Sequence, residues 1–175
     1  MSEAMTERFA ISPARSRIGF EASSSVHPIH AEADGVTGHV EGAFTGGLLD
    51  LATTPRMSLE LPVERLRSGN ALYDGELRRR VDVRAHPHVA GESTDVTALP
   101  GPGRYLVRGR LSFHGVTRPA EGEITISAPD DHTLLIEGEQ VFDIRDFGLQ
   151  PPRVLMLRVH PTVRVRVHLV AERER

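Results

Sequence analysis

The chain has 175 residues, with 24 acidic against 21 basic, a formal charge of -3, and 39% hydrophobic and 26% charged residues. That length suits one domain able to bury roughly 70% of its unfolded surface, and the composition excludes wholesale disorder. Every basic residue is arginine and is offset by acid, so no strong positive field attracts nucleic acid or an anionic membrane. The lack of cysteine removes disulfides, thiolate metal sites and a cysteine nucleophile.

In chain order, residues 1–20 mix charges with isolated apolar side chains and give no apolar run of the roughly 7–15 residues that a secretory signal needs, so a cytoplasmic protein is expected. No stretch approaches the roughly 18 apolar residues of a membrane-spanning segment. Residues 1–7 and 172–175 are expected to fray, leaving a single domain over 8–171.

Ile18 with Phe20, then Val36 with Val40 and Phe44, mark the first short strands, followed by a turn at Gly46-Gly47. Met57, Leu59, Leu61 and Val63 alternate with polar neighbours as a half-buried strand does. Ala71 to about Val83 is the one convincing helical stretch, with Leu72, Leu77 and Val81 able to share a face. Within it, Arg78-Arg79-Arg80 reads as a solvated face.

After a loop at Pro100-Gly101-Pro102-Gly103, the alternation returns at Tyr105, Val107, Leu111 and Phe113. His114-Gly115 predicts a tight hairpin turn, with Pro119 beyond it marking an interruption of strand pairing. Ile124 with Ile126, a turn at Pro129-Asp130-Asp131, Leu134 with Ile136, and Val141 give further strands. The last and longest runs through Leu155, Leu157, Val159, Val163, Val165, Val167 and Leu169, with Pro161 predicting an edge, bulge or bend. The total is about eight antiparallel strands and one short helix, an all-β sandwich or barrel. A barrel of that size with modest inner side chains can keep room for one small apolar ligand. It can equally be filled by its own core.

Several segments, in order, resemble the YceI-like family of lipocalin-like, polyisoprenoid-binding proteins. They are Ser16-Arg17-Ile18-Gly19-Phe20; Val36 to Phe44 with Gly47; Tyr73 to Arg78; Val81-Asp82-Val83 before His86-Pro87; Gly109 to Pro119; and Ile144-Arg145-Asp146-Phe147-Gly148-Leu149. The resemblance implies an extended lipocalin-like barrel that sequesters a polyisoprenoid or an isoprenoid quinone. Its partner would then be an apolar isoprenoid lipid, with a homodimer possible and no catalytic cofactor. Independently of it, Arg145 and Asp146 could pair with each other or with separate partners at a barrel rim, pinning a loop.

Strand parity assigns the ligand-facing wall to Ile18, Phe20, Val40, Phe44, Leu59, Leu61, Val107, Leu111, Phe113, Ile124, Ile126, Phe142, Leu157 and Val165. Two other readings stand beside the carrier. One is a metal-dependent enzyme built on His27 with His30 or His86 with His88, with His39 or Asp82 as a third ligand. The other is a filled barrel acting through its surface. Ser23-Ser24-Ser25 near His27 has no nucleophile elbow and no orienting carboxylate, and reads as polar strand or loop.

Overall fold

Strands alternating apolar and polar side chains must hide one face, and here they do so by rolling up. The computed structural model describes residues 5–151, 153–154 and 156–175, with Val154 described by its backbone alone. Leu155, placed on the last strand by its periodicity, lies outside them.

The strands are β1 (Thr6–Ile11), β2 (Arg17–Ser24), β3 (Ile29–Ala33), β4 (Thr37–Thr45), β5 (Leu48–Asp50), β6 (Arg56–Pro62), β7 (Leu66–Arg67), β8 (His88–Ala98), β9 (Arg104–Phe113), β10 (Val116–Asp130), β11 (Thr133–Asp143), β12 (Arg153–Val154) and β13 (Leu157–Arg173). Helix α1 (Ala71–Val81) separates β7 from β8, and 3-10 turns occupy Val63–Arg65 and Ile144–Phe147. The antiparallel pairings β1-β4-β6-β8-β9-β10-β11-β13 close on themselves through β1 and β13, giving an eight-strand barrel. Closure removes the exposed strand edges that invite aggregation.

The seventeen-residue β13 organises the closure. One of its edges pairs with β11 from Thr162 to Glu172, while the other pairs with β2 from Val159 to His168 and with β1 from Ala171 to Arg173. The change of partner falls at a corner where Pro13 offers no N–H. There the buried Ser16 hydroxyl accepts from Val170 N–H at 3.0 Å, and Ser12 N–H donates to Val170 O at 2.7 Å. Along the Val159–His168 stretch of β13 the sheet continues from β2 to β3 and β7, and α1 follows β7 in the chain before β8. Pro161 sits where β13 carries two more residues than β2 between paired positions, Val159 with Ser24 and Val163 with Ala22, so its missing N–H falls on a bulge.

Other details differ from the sequence-based expectation for local reasons. Thr6 and Glu7 pair with Ala43 and Gly42, and Glu172 and Arg173 pair with Ala10 and Phe9, so the sheet holds these residues. β8 escapes detection because its inward positions include Gly91 and Ser93, which break the apolar alternation. Helix α1 stops at Val81, two residues early, because Asp82 takes the left-handed conformation at φ 53° and caps it. Asn70 caps its start by accepting from Leu72 and Tyr73 N–H. Its inner face is Tyr73, Leu77 and Val81, so Leu77 and Val81 of the expected stripe turn inward while Tyr73 takes the place of Leu72, which is exposed. Pro119 does not interrupt the pairing with β9, since it stands opposite Arg110 in an unbroken register. Its missing N–H faces the other edge, where β11 pairing begins only at Glu123.

Apolar packing concentrates at the end closed by β1. Phe9, Ile11, Val36, Val40, Leu134 and Leu169 are buried there, and the Tyr105 hydroxyl accepts from Leu49 N–H at 3.0 Å. A second cluster joins α1 to the two 3-10 turns through Val63, Val81 and Leu149, with Leu77, Phe113 and Ile144 against it.

Candidate functional site

Between the two clusters the barrel is hollow. A cavity of about 480 Å³ lies among the inward side chains, inside the range of small-molecule sites. Its floor is the upper surface of the packed core, formed by Ile11, Ile18, Val40, Ile136 and Leu169, which belong to that core and also border the hollow. Its walls are the inward positions of β2, β6, β9, β11 and β13, such as Phe20, Leu59, Leu111, Phe142 and Val163. Tyr73 and Leu77 of α1 and Phe147 of the second 3-10 turn complete it.

The hollow survives because small residues stand where large ones would meet. Gly91, Gly109, Ala120, Gly122 and Gly138 occupy inward positions on four consecutive strands. The charged strand residues bordering the cavity, Glu92, Arg110, Glu121, Glu123 and Glu139, are exposed and alternate outward.

Of the residues assigned to the wall by parity, Ile18, Phe20, Val40, Leu59, Leu61, Val107, Leu111, Phe113, Ile124, Phe142 and Val165 border this cavity. Three do not. Phe44 lies at the packed end, edge to face with Phe9 at 5.3 Å, and Ile126 is buried in the same core at 4% exposure. Leu157 opens β13 beyond the bulge, where its partner is the two-residue β12. Parity sets which way a side chain points but not its height along the barrel, and height decides between core and cavity. Sequence reasoning missed the glycines, the helix residue Tyr73, and Gln140, a polar side chain on the inward face of β11 between Gly138 and Phe142.

The two ends of the site are pinned by local bonds. His114 (φ 53°) and Gly115 (φ 73°) form the two-residue turn between Phe113 and Val116, a geometry that requires positive φ at both positions. His114 Nδ1 lies 3.1 Å from Phe147 O, and Arg118 Nε donates to Asp146 O at 3.0 Å. These contacts tie the β9–β10 hairpin to the 3-10 turn. Arg145 does not pair with Asp146. Its guanidinium donates twice to Asp143, whose carboxylate also accepts from Arg145 N–H, and the guanidinium holds the Asp143 carboxyl below its ordinary value of 3.8. On the helix side, Asp74 accepts from the Ser68 N–H and hydroxyl, leaving its charge bound to the turn before α1.

The histidines do not converge. His86 packs against His114 with ring centroids 4.8 Å apart, while His88 lies 3.3 Å from Glu60. His39 faces Glu174 on the outside at 3.1 Å, and His30 lies 3.8 Å from Glu21. Among the described residues no group of three or more His, Asp or Glu is placed to hold a metal ion. Ser24 Oγ donates to His27 O and accepts from Val26 and His27 N–H, which makes it the staple of the β2–β3 turn. Arg79 and Arg80 both pair with Glu76 on the helix surface. No helix among the described residues is long and apolar enough to cross a membrane.

A closed antiparallel barrel with an apolar hollow between two packed clusters belongs to the class of barrels that enclose a ligand. Residues 9–171 match the YceI-like domain, and the chain belongs to that family. No curated protein sequence matches it. Among solved structures it is similar to BcnA of Burkholderia cenocepacia, with 17% identity and a TM-score of 0.77 over 91% of this chain and 98% of that one. It is also similar to a polyisoprenoid binding domain from Saccharophagus degradans implicated in plant cell wall breakdown, with 14% identity and a TM-score of 0.71 over 95% and 98%. A third is the YceI protein of Campylobacter jejuni, with 9% identity and a TM-score of 0.67 over 83% and 85%. At these identities the likeness is one of fold.

Proposed function

We propose that this protein is a non-catalytic carrier that holds an apolar isoprenoid, a polyisoprenoid or an isoprenoid quinone, inside its barrel. The observation that carries this reading is the cavity itself, a ligand-sized hollow walled by aliphatic and aromatic side chains, with the strand charges turned outward. Removing apolar surface from water is worth about 25 cal/mol per Å², so a branched hydrocarbon chain binds such walls without a dedicated ionic anchor. The polyisoprenoid binding domain with the same fold supports the choice of ligand class.

Organic extraction of the purified protein followed by mass spectrometry tests the reading. An isoprenoid in the extract is expected. A protein that yields none and also fails to take up added polyprenols and quinones contradicts it.

A further inference from the structure

Around the middle of the hollow runs one continuous cross-strand row. Ala31 pairs with Phe20, Phe20 with Val165, and Val165 with Gln140; Gly122 lies next to Gln140 and pairs with Val107. All of these border the cavity, and Gln140 is the one polar side chain among them. Its amide lies over bare backbone, since a Cβ built at Gly122 would stand 3.8 Å from Gln140 Oε1 and 3.7 Å from its Cβ. Among the described residues no group hydrogen-bonds that amide, although it can both donate and accept. The amide is half-buried and open to the cavity rather than sealed, so a ligand oxygen can take the place of water on it.

We infer that Gln140 receives the polar end of the ligand, and that this end is a small uncharged oxygen function, a hydroxyl or a carbonyl, which enters the barrel first. The inference rests on the carrier reading and narrows it. A diphosphate head is excluded from this level because the nearby Arg110 points outward, leaving no cation to meet it. A head that stayed among the α1 residues would meet Tyr73 and Asp74 instead, and Asp74 is already bonded to Ser68. With the head at Gln140, the isoprenoid tail lies back toward the helix end of the cavity.

The test compares farnesol, the hydrocarbon farnesene and farnesyl diphosphate as ligands of the full chain, by titration calorimetry or displacement of a fluorescent apolar probe. The wild type is expected to prefer farnesol to farnesene by about tenfold, one good hydrogen bond's worth, and to bind farnesyl diphosphate more weakly than farnesol. Gln140→Leu, checked for an unchanged thermal transition, should erase the preference, and Val141→Thr, on the exposed outward face of β11, should leave it intact. Preference that survives Gln140→Leu, preference lost in Val141→Thr, or tighter binding of the diphosphate overturns the inference while leaving the carrier reading in place. A wild type that takes up polyprenols or quinones but none of the three overturns the inference, and one that takes up none of these overturns the carrier reading itself.

Discussion

Phe9 on β1 and Phe44 on β4 meet edge to face, with ring centroids 5.3 Å apart and planes at 73°, at the packed end of the barrel. Phe9 is 2% exposed and touches the core on every side. Phe9→Ala is therefore expected to cost about 3–5 kcal/mol of stability, read from urea denaturation. The folded fraction should keep its ligand affinity, because neither ring borders the cavity. A loss below about 1 kcal/mol contradicts a filled end, and lost affinity in the folded fraction contradicts its separation from the hollow.

Leu111 shows the opposite behaviour. It faces the cavity from β9, opposite Gly91, with open space beyond its side chain. Leu111→Arg brings a guanidinium into apolar surroundings where, among the described residues, the strand acids turn outward and Asp74 is already bonded to Ser68, so uptake of an isoprenoid should be abolished and the barrel destabilised. The milder Leu111→Ala should keep the fold and enlarge the hollow. Unchanged uptake in a folded Leu111→Arg protein shows that this side chain does not face the ligand.

The contrast between those two residues is where sequence reading stops. Period-two alternation correctly turns both Leu111 and Ile126 inward, yet one borders empty space and the other is buried in the core cluster that also holds Tyr105 and Leu134. The difference depends on which distant strands stand at the same height, and that is a property of register around the whole barrel. The hairpin at His114-Gly115 was legible because its conformational demand is local. β8 was not, since Gly91 and Ser93 stand where apolar residues mark a strand. Gln140 was hidden for the same reason, because a polar residue on an inward position reads as noise until its neighbours across the sheet are known.

Gly115 should tolerate no branched side chain. Its φ of 73° disfavours one, and a Cβ there would meet His86 Cε1 at 3.1 Å. Gly115→Val is expected to cost at least about 1–2 kcal/mol and to loosen the contact between His114 and Phe147. Hydrogen exchange should show faster opening of Ile144–Phe147 than in the wild type. Equal exchange there contradicts the coupling of hairpin and turn.

The Asp143 carboxyl is held low chiefly by the Arg145 side chain and then by the Arg145 N–H. A carboxyl whose folded value lies below its unfolded one stabilises the fold above the unfolded value, and that contribution is lost as the pH falls through the folded value. An NMR titration should place the Asp143 midpoint below the ordinary 3.8 and move it upward in Arg145→Gln. A midpoint that does not move shows that the pair is not formed in solution.

Everything functional depends on the hollow between Phe20, Leu111 and Gln140 being real space open to a guest. A crystal structure of the protein grown with farnesol tests this most directly. The account predicts elongated density for one molecule inside the barrel, resting on Ile18 and Leu169 and reaching toward Leu77. Wall side chains meeting across the centre, with ligand density confined to the outer surface, would contradict it.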